Sequence, residues 1–474
     1  MLSAGLINGV PFFDFDTAGY YRSGMAVASG IGQRTLAKQP DTSGINKAAE
    51  KSGVQRSRIK LPHLSRSVYY GFFLYAGARL GTIWLCPILQ ALIAAYLIYL
   101  TWSVLCAGSG RGFFTVLLVM LATPLPYYSA LLTPDIFSGY AVLCAAILLS
   151  FWCQVGFRNK VACFLILVYG CAVHISNPLT ITCLLIVSLV FILGSRYRRE
   201  LLGPQLAVTG AVICAVFMFC LVVFVAERTM RERPVLLPFL AARIIGDGFG
   251  EKYLREECPR HPNVFCAFLD SLPQSNGDFL FSSRGVVAST TKEQLRAMSR
   301  EQFSLFLNAW RKYPVEAMHS FLRRLGFQLL RFPVLCYVLE HGPGLKHLEE
   351  SWPAGAQSLM RSRIPCLSVF YVLWSLLVYA GVLASIAVFF GTYLRSKSLF
   401  AETERSRIYR FGVLVFAGVI MNAAVCSLLS GAGSRYQARV IWLLPLAAAA
   451  VWLRLRQVKK DPCSKALPPI LGET

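Results

Sequence analysis

An all-α, polytopic helical membrane protein is predicted by three properties of this sequence. Of its 474 residues, 55% are hydrophobic and only 15% charged, against about 25% charged in an average soluble chain. The mean hydropathy is +0.54. The apolar residues fall in long unbroken runs, not in the alternating pattern of β-barrel strands. A chain this apolar cannot hide its surplus in one water-soluble core, which excludes a soluble enzyme, a disordered protein and a small disulfide scaffold. The formal charge of +23 is read as loops that meet anionic lipid or phosphate-bearing substrates, with no nucleic-acid partner.

A helical span needs roughly 17–25 apolar residues, and the segments follow in order. Residues 1–13 are apolar but reach only about 20 Å as a helix, short of a hydrocarbon core of about 30 Å. They lack the basic start and the cleavage site of a signal peptide, so a partial first transmembrane span is expected, the outer half of one that begins upstream. Residues 14–78 form a first periplasmic loop. Its stretch 29–66 is polar, basic and rich in Ser, Gly and Lys, as a flexible insertion is. The transmembrane region 79–226 holds spans at 82–106, 113–132, 136–155, 161–177, 179–194 and 204–226. Two short ones are expected to meet in a tight turn at Asn177-Pro178. Residues 227–364 form a large periplasmic loop domain, where 310–335 mixes apolar and basic residues as an interfacial helix does. Spans 366–394, 411–430 and 438–453 complete the C-terminal transmembrane part (365–453), and 454–474 is a cytoplasmic tail. In all, about 9–11 transmembrane helices are expected.

Orientation follows from Lys and Arg in short loops. One set of connections carries Arg111; Arg158 and Lys160; Arg196, Arg198 and Arg199; Arg395, Lys397, Arg405, Arg407 and Arg410. The tail adds Arg454, Arg456, Lys459 and Lys460. These alternate with connections carrying Thr133-Pro134-Asp135, His174 to Asn177, and Ser434-Arg435-Tyr436. The first set is placed in the cytoplasm and the second outside, in a multi-pass protein of the bacterial inner membrane whose active face is periplasmic. The two long segments exceed the length at which loop charge votes on topology. Most cysteines sit in spans as small hydrophobes (Cys86, Cys144, Cys171, Cys214, Cys220, Cys426). Cys258 and Cys266 fall in the large outer segment and are expected to form a disulfide. No Cys/His spacing suggests zinc.

Four polar clusters then land on one side of the membrane. The first is Phe13-Asp14-Phe15-Asp16-Thr17-Ala18-Gly19-Tyr20-Tyr21. Asp16 is read either as the N-cap of a helix beginning at Thr17 or as a general base or phosphate-site organiser. Asp135 in Thr133-Pro134-Asp135 offers the same two readings. His174 with Ser176 and Asn177 is a turn or a substrate contact. Arg66, Arg435, Tyr436 and Arg439 are interfacial anchors or bidentate phosphate ligands. A cationic, aromatic-lined cavity with an acidic centre suits a lipid-linked phosphate donor and a hydroxyl acceptor. A carboxylate would take the acceptor proton as the oxygen attacks the anomeric carbon. Arg side chains would stabilise the departing phosphate.

This arrangement resembles the GT-C membrane glycosyltransferases, which include protein O-mannosyltransferases and lipid A aminoarabinose transferases. Their first outer loop carries an acidic motif, often Asp-Glu with Tyr four residues after the Asp. Here Asp16 is followed by Thr17 in place of Glu, with Tyr20 at that spacing. The chain also resembles uncharacterised bacterial membrane proteins sharing Pro-Asp-Ile-Phe and Arg-Ser-x-x-Tyr-Gly stretches. The resemblance implies Asp16 as catalytic base, Asp135 as a second acidic residue, and the late Arg435-Tyr436 on the donor phosphate, where Arg66 and Arg439 are assigned from the cluster itself. Tyr20, Tyr21, His174 and Asn177 are assigned to substrate binding. No cofactor is called for, and the expected partners are a polyprenyl-phosphate-linked sugar, an envelope glycan, lipid or protein acceptor, and the bilayer.

Three other readings compete. An O-antigen ligase or polymerase would depend on His174, His261 or His319. A transporter or flippase would place ionisable residues near the midplane, whereas the spans between 82 and 194 carry almost no charge and show no internal repeat. The third is a structural envelope protein. Gly246-Asp247-Gly248 is read as turn chemistry, Asp270 and Asp278 as minor acidic candidates, and Glu349-Glu350 as a solvated pair.

Overall fold

Apolar runs in a medium without water must bond their own backbone, and a bundle of helices is the result. The computed structural model describes residues 1–32, 66–106, 110–193, 198–230, 234–334, 343–364, 369–396 and 402–460, apart from positions 274, 283 and 432. Among the described residues there is no strand, only an isolated bridge between Phe12 and Leu131. Six helices are long and apolar enough to cross a membrane: Leu85–Leu105, Ser176–Leu193, Leu201–Arg228, Val369–Thr392, Arg405–Leu429 and Ser434–Val458. The chain is an all-α, polytopic membrane protein.

The start of the chain departs from the expected half-span. Helix α1 (Ser3–Asn8) ends at Gly9, whose φ of 81° is left-handed and open to glycine without steric cost. Pro11 follows, and the chain then runs extended, with Phe12 N donating to Ala130 O and Leu132 N to Phe12 O, both at 2.9 Å. Helices α2 (Thr17–Gly32) and α3 (Val68–Arg79) then cross at Gly24 and Gly71, where no side chain keeps the backbones apart. The expected insertion lies outside the described residues, except for 29–32, which finish α2, and Arg66.

Helix α4 (Leu85–Leu105) crosses the bundle. The span expected at 113–132 is instead two helices, α5 (Gly110–Leu121) and α6 (Leu125–Ala130). Pro124 and Pro126 cannot continue a helix, and Thr123 stitches the break by donating to Met120 O and accepting from Leu125 N. Helix α7 (Ile136–Phe151) is buried along its whole length. Around it pack α4, α8 (Phe157–Val173), α9 (Ser176–Leu193), α10 (Arg198–Met230), α20 (Glu402–Leu429) and α21 (Ser434–Ile441). Small residues permit the closest approaches: Gly139 lies against Trp442, and Gly418 against Val142. The turn expected at Asn177-Pro178 falls earlier, at His174-Ile175. Pro178 sits in the first turn of α9, where its missing N–H breaks no helical bond.

The segment 234–330, expected from sequence on the outer face, has its own apolar centre, with Ile244, Phe249, Leu254, Phe265, Phe279 and Met298 among its members. It is built from α11 (Phe239–Gly246), α12 (Phe249–Glu257), a 3-10 helix (Val264–Ser271), α13 (Asn276–Phe281), α14 (Val286–Ser289), α15 (Lys292–Lys312) and α16 (Pro314–Leu330). A Cys258–Cys266 disulfide ties the end of α12 to the 3-10 helix. The interfacial helix expected from Trp310 begins at Pro314 instead. Trp310 belongs to α15 and packs on Phe249 and Phe306, while Val315, Met318, Leu322 and Leu330 leave an exposed apolar side on α16. Helices α17 (Pro343–Ser351) and α18 (Pro353–Leu359) return to the chain start, where Trp352 stacks on Tyr21 with centroids 4.6 Å apart. Helix α19 (Val369–Ser396) and α22 (Leu443–Lys460) complete the bundle.

The α2–α3 crossing supplies a direct test. A Cβ on Gly24 would lie 1.9 Å from the Gly71 carbonyl oxygen, a backbone atom that cannot swing aside. Gly24→Ala is expected to destabilise the protein by about 1–3 kcal/mol, seen as a lower Tm in detergent. Gly326→Ala, which meets nothing within 4 Å, leaves Tm unchanged or raises it.

Candidate functional site: an arginine–carboxylate cluster

The ends of seven helices meet at one end of the bundle. The N-terminal ends of α2, α3, α7, α9 and α21 bring Asp14 and Asp16, Arg66, Asp135, Ser176 and Arg435, while the C-terminal ends of α8 and α20 bring His174 and Asn422. Five helix N-termini give this end a positive bias that favours anions.

Arg435 is the hub. Its guanidinium meets three carboxylates: Asp14, Asp16 at 2.8 Å and Asp135 at 3.1 Å. Arg66 holds the other oxygen of Asp16. Arg439, three to four residues after Arg435 and Tyr436 on the same helix, reaches Asp135 at 3.2 Å, Ser176 Oγ at 3.1 Å and Asn422 Oδ1 at 3.0 Å. It also donates to His174 Nε2 at 2.8 Å. A guanidinium cannot accept a hydrogen bond, so Nε2 carries no proton and the imidazole is neutral. Burial, then the nearby Arg439 charge, pushes the His174 pKa down to about 3, and its Nδ1 side meets Ser176 Oγ at 2.9 Å.

The cluster has two layers. Asp16, Arg66 and Arg435 keep 19%, 25% and 14% of their side-chain surface open, whereas Asp135 and Arg439 keep 1% or less and Asp14 none. Asp14 and Asp16 consequently differ in charge behaviour. Burial raises the Asp14 pKa to about 6, against the pull of Arg435. Burial also presses on Asp16, but Arg435 and Arg66 together outweigh it and hold that carboxyl below its usual range.

Neither aspartate caps a helix with its carboxylate. Asp135 occupies the N-cap position of α7 without a side-chain cap bond and takes Thr133 Oγ1 at 2.7 Å instead. At α2 the local bonds run through Asp14: its carbonyl accepts Thr17 N and its Oδ1 accepts Asp16 N. Thr17, which stands where the resembling family has Glu, is buried and structural. Its hydroxyl accepts Asp14 N and donates to Leu132 O.

Of the residues singled out from sequence, Asp16, Asp135, Arg66, Arg435, Arg439 and His174 come together. Tyr20 lies beneath Arg66 and edge-on to Tyr70. Tyr436 lies beneath Arg435 and Arg439, its hydroxyl bonded to Ser430. Asn177 does not face the cluster: its amide is used up between Ser138 and the Gly170 carbonyl. Tyr21 stacks on Trp352 away from the guanidiniums. His261 and His319 belong to the outer segment. Asp247 sits in the expected turn, before Gly248 with φ 87°, and its carboxylate also pairs with buried Arg243 and with Arg324.

Sequence reasoning left out Asp14 and Asn422 as site residues. The spacing of Asp14 and Asp16, two apart between phenylalanines, was a signal for the first. An amide inside the apolar run 411–430 was a signal for the second. Among the described residues no group of three His, Cys, Asp or Glu side chains is arranged to hold a metal ion.

Asp14 gives a pH test. A carboxyl whose folded pKa is raised contributes stability at low pH that is lost as pH rises through about 6. Asp14→Asn removes that loss, so the Tm of the variant relative to wild type should improve steadily from pH 4 to pH 7. A constant difference over that range would show Asp14 titrating at its ordinary value. No family model, curated protein or solved structure matches the chain.

Proposed function

We propose that the protein is an integral membrane glycosyltransferase of the GT-C kind, moving a sugar from a polyprenyl-phosphate donor to an envelope glycan, lipid or protein at the periplasmic face of a bacterial inner membrane. The observation that carries this reading is the accessible layer of the cluster: one ionised carboxylate, Asp16, gripped by two guanidiniums at the rim of a buried ion network. A purely structural network has no need of an open edge carrying both a base and phosphate ligands.

Each residue then has a role. Asp16 accepts the acceptor's hydroxyl proton as that oxygen bonds to the anomeric carbon. The bond from the anomeric carbon to the phosphate oxygen breaks, and the lipid phosphate leaves with the electron pair. Arg66 and Arg435 take the charge that develops on it. Asp14, Asp135 and Arg439 hold Arg435 in place from below. Five helix N-termini add their dipoles to the same end.

A lipid-linked donor also needs an apolar path. A crevice of about 350 Å³ runs between α5, α19 and α22, with Thr123, Val382, Ile441, Trp442 and Trp452 in its walls. Its upper end at Trp442 lies one helical turn below Arg439, whose carbonyl the indole N–H meets at 2.9 Å. A polyprenyl chain lying there places its phosphate near the guanidiniums.

The test is transfer by purified protein in proteoliposomes, followed as release of polyprenyl phosphate from polyprenyl-phosphate hexose or pentose. Asp16→Asn is expected to lower kcat about 10²–10⁴-fold in protein that is still expressed and inserted, and Arg66→Ala to raise the donor KM. Wild-type rates in Asp16→Asn would overturn the assignment of the base. Failure of the wild type to turn over any such donor would overturn the function.

A further inference from the structure

The outer segment holds the turn that presents Arg435. Gln328, on α16, is fully buried, and its side-chain amide pairs with one backbone unit as a strand would. Nε2 donates to Gly433 O at 2.8 Å, and Oε1 accepts from Gly433 N at 3.0 Å. Gly433 is the N-cap of α21, two residues before Arg435, and its carbonyl also takes Tyr436 N at 3.1 Å. One side chain thus fixes both polar groups of the residue from which α21 starts.

A second anchor lies one helical turn away on α16. Arg324, four residues before Gln328, binds Asp247. Asp247 holds Arg243 at 3.0 Å, and Arg243 Nε donates to Ser427 O at 3.0 Å. Ser427 lies in the last turn of α20. The two anchors therefore bracket the connection between α20 and α21. Asn276 lies against Gly431 inside it, where an added Cβ would come within 3.0 Å of the Asn276 amide.

We infer that Gln328 is a positioning residue: through Gly433 it sets the register of α21 and so the place of the Arg435 guanidinium among its three carboxylates. The inference rests on the transferase reading for its consequence in catalysis, but not for its geometry. A guanidinium that touches the departing phosphate loses effectiveness when displaced by about 1 Å. The outer segment is then a working part of the site, although none of its described side chains joins the ion cluster.

Two measurements on full-length protein in proteoliposomes separate this inference from the transferase reading. The first is the labelling rate of the thiol in Arg435→Cys by a maleimide, resolved by mass spectrometry, with and without Gln328→Leu. Labelling should accelerate about tenfold when Gln328 is lost, while the exposed native Cys153 keeps its rate. Gln328→Glu, which keeps the acceptor and loses the donor, replaces the leucine variant if that is not recovered folded. An unchanged rate at position 435 overturns the positioning role, whatever the transfer assay gives. The second is kinetics with polyprenyl-phosphate sugar, where Gln328→Leu should raise the donor KM about tenfold and leave the acceptor KM alone. Faster labelling at position 435, together with no transfer by the wild-type protein, leaves the positioning role standing and defeats the transferase reading instead.

Discussion

Everything at the site end depends on the compensation of buried charge around Arg435. A guanidinium drawn out of water is costly, and so is each carboxylate, by several kcal/mol per ion even after relaxation. Three carboxylates opposite three guanidiniums bring the local charge to balance, and the neutral His174 leaves it there. The balance is not uniform in depth. Asp135 and Arg439 are locked by Thr133, Ser176 and Asn422, so nearly all their polar atoms have partners. Among the described residues nothing hydrogen-bonds Asp14 Oδ2 or Arg439 Nε. Of the three carboxyls, Asp14 is the one that burial lifts above its ordinary range, to about 6.

That compensation dictates how the helices end. The six charged groups come from four segments, and His174, Ser176 and Asn422 bring three more helices to the same point. Close approach is bought by small residues at the crossings, Gly24 on Gly71 and Gly139 on Trp442. It also explains why the chain start lies extended along 130–132 instead of spanning the bilayer. The Phe12–Leu131 pairing sets Asp14 and Asp16 beside Thr133 and Asp135, bringing acids from distant parts of the sequence to one guanidinium.

Much of this was legible in the sequence, and the failures have physical causes. The helical membrane class followed from composition, and runs such as 411–430 fall on long helices because apolar length alone selects them. The ends were harder. Pro124 and Pro126 split a run that hydropathy reads as continuous, and Pro178 sits inside a helix's first turn where it was expected to break the chain. Among site residues, Asp16, Asp135, Arg435 and Arg439 were found because charge is rare at the ends of apolar runs. Asn177 has the same polarity, yet it serves only Ser138 and Gly170, since sequence cannot tell an amide facing a cavity from one facing a neighbouring helix. Gln328 was invisible for another reason: its partner is backbone, which leaves no mark in composition.

A buried ion network is weak evidence for stability, because well-packed apolar side chains of similar volume often do as well or better. What apolar side chains cannot supply is a charge held ready at an edge. Asp135 and Arg439, sealed from solvent, contribute nothing to such an edge directly, but Asp135 holds Arg435 from the buried side and Arg439 holds Asp135. Arg435 reaches from that inner layer to the rim, where it and Arg66 keep Asp16 ionised while part of its carboxylate stays reachable. On the proposed transferase reading, the resting state is already balanced, and an arriving phosphate would exchange places with carboxylates on Arg66 and Arg435, leaving Asp16 freer to take a proton as the acceptor attacks.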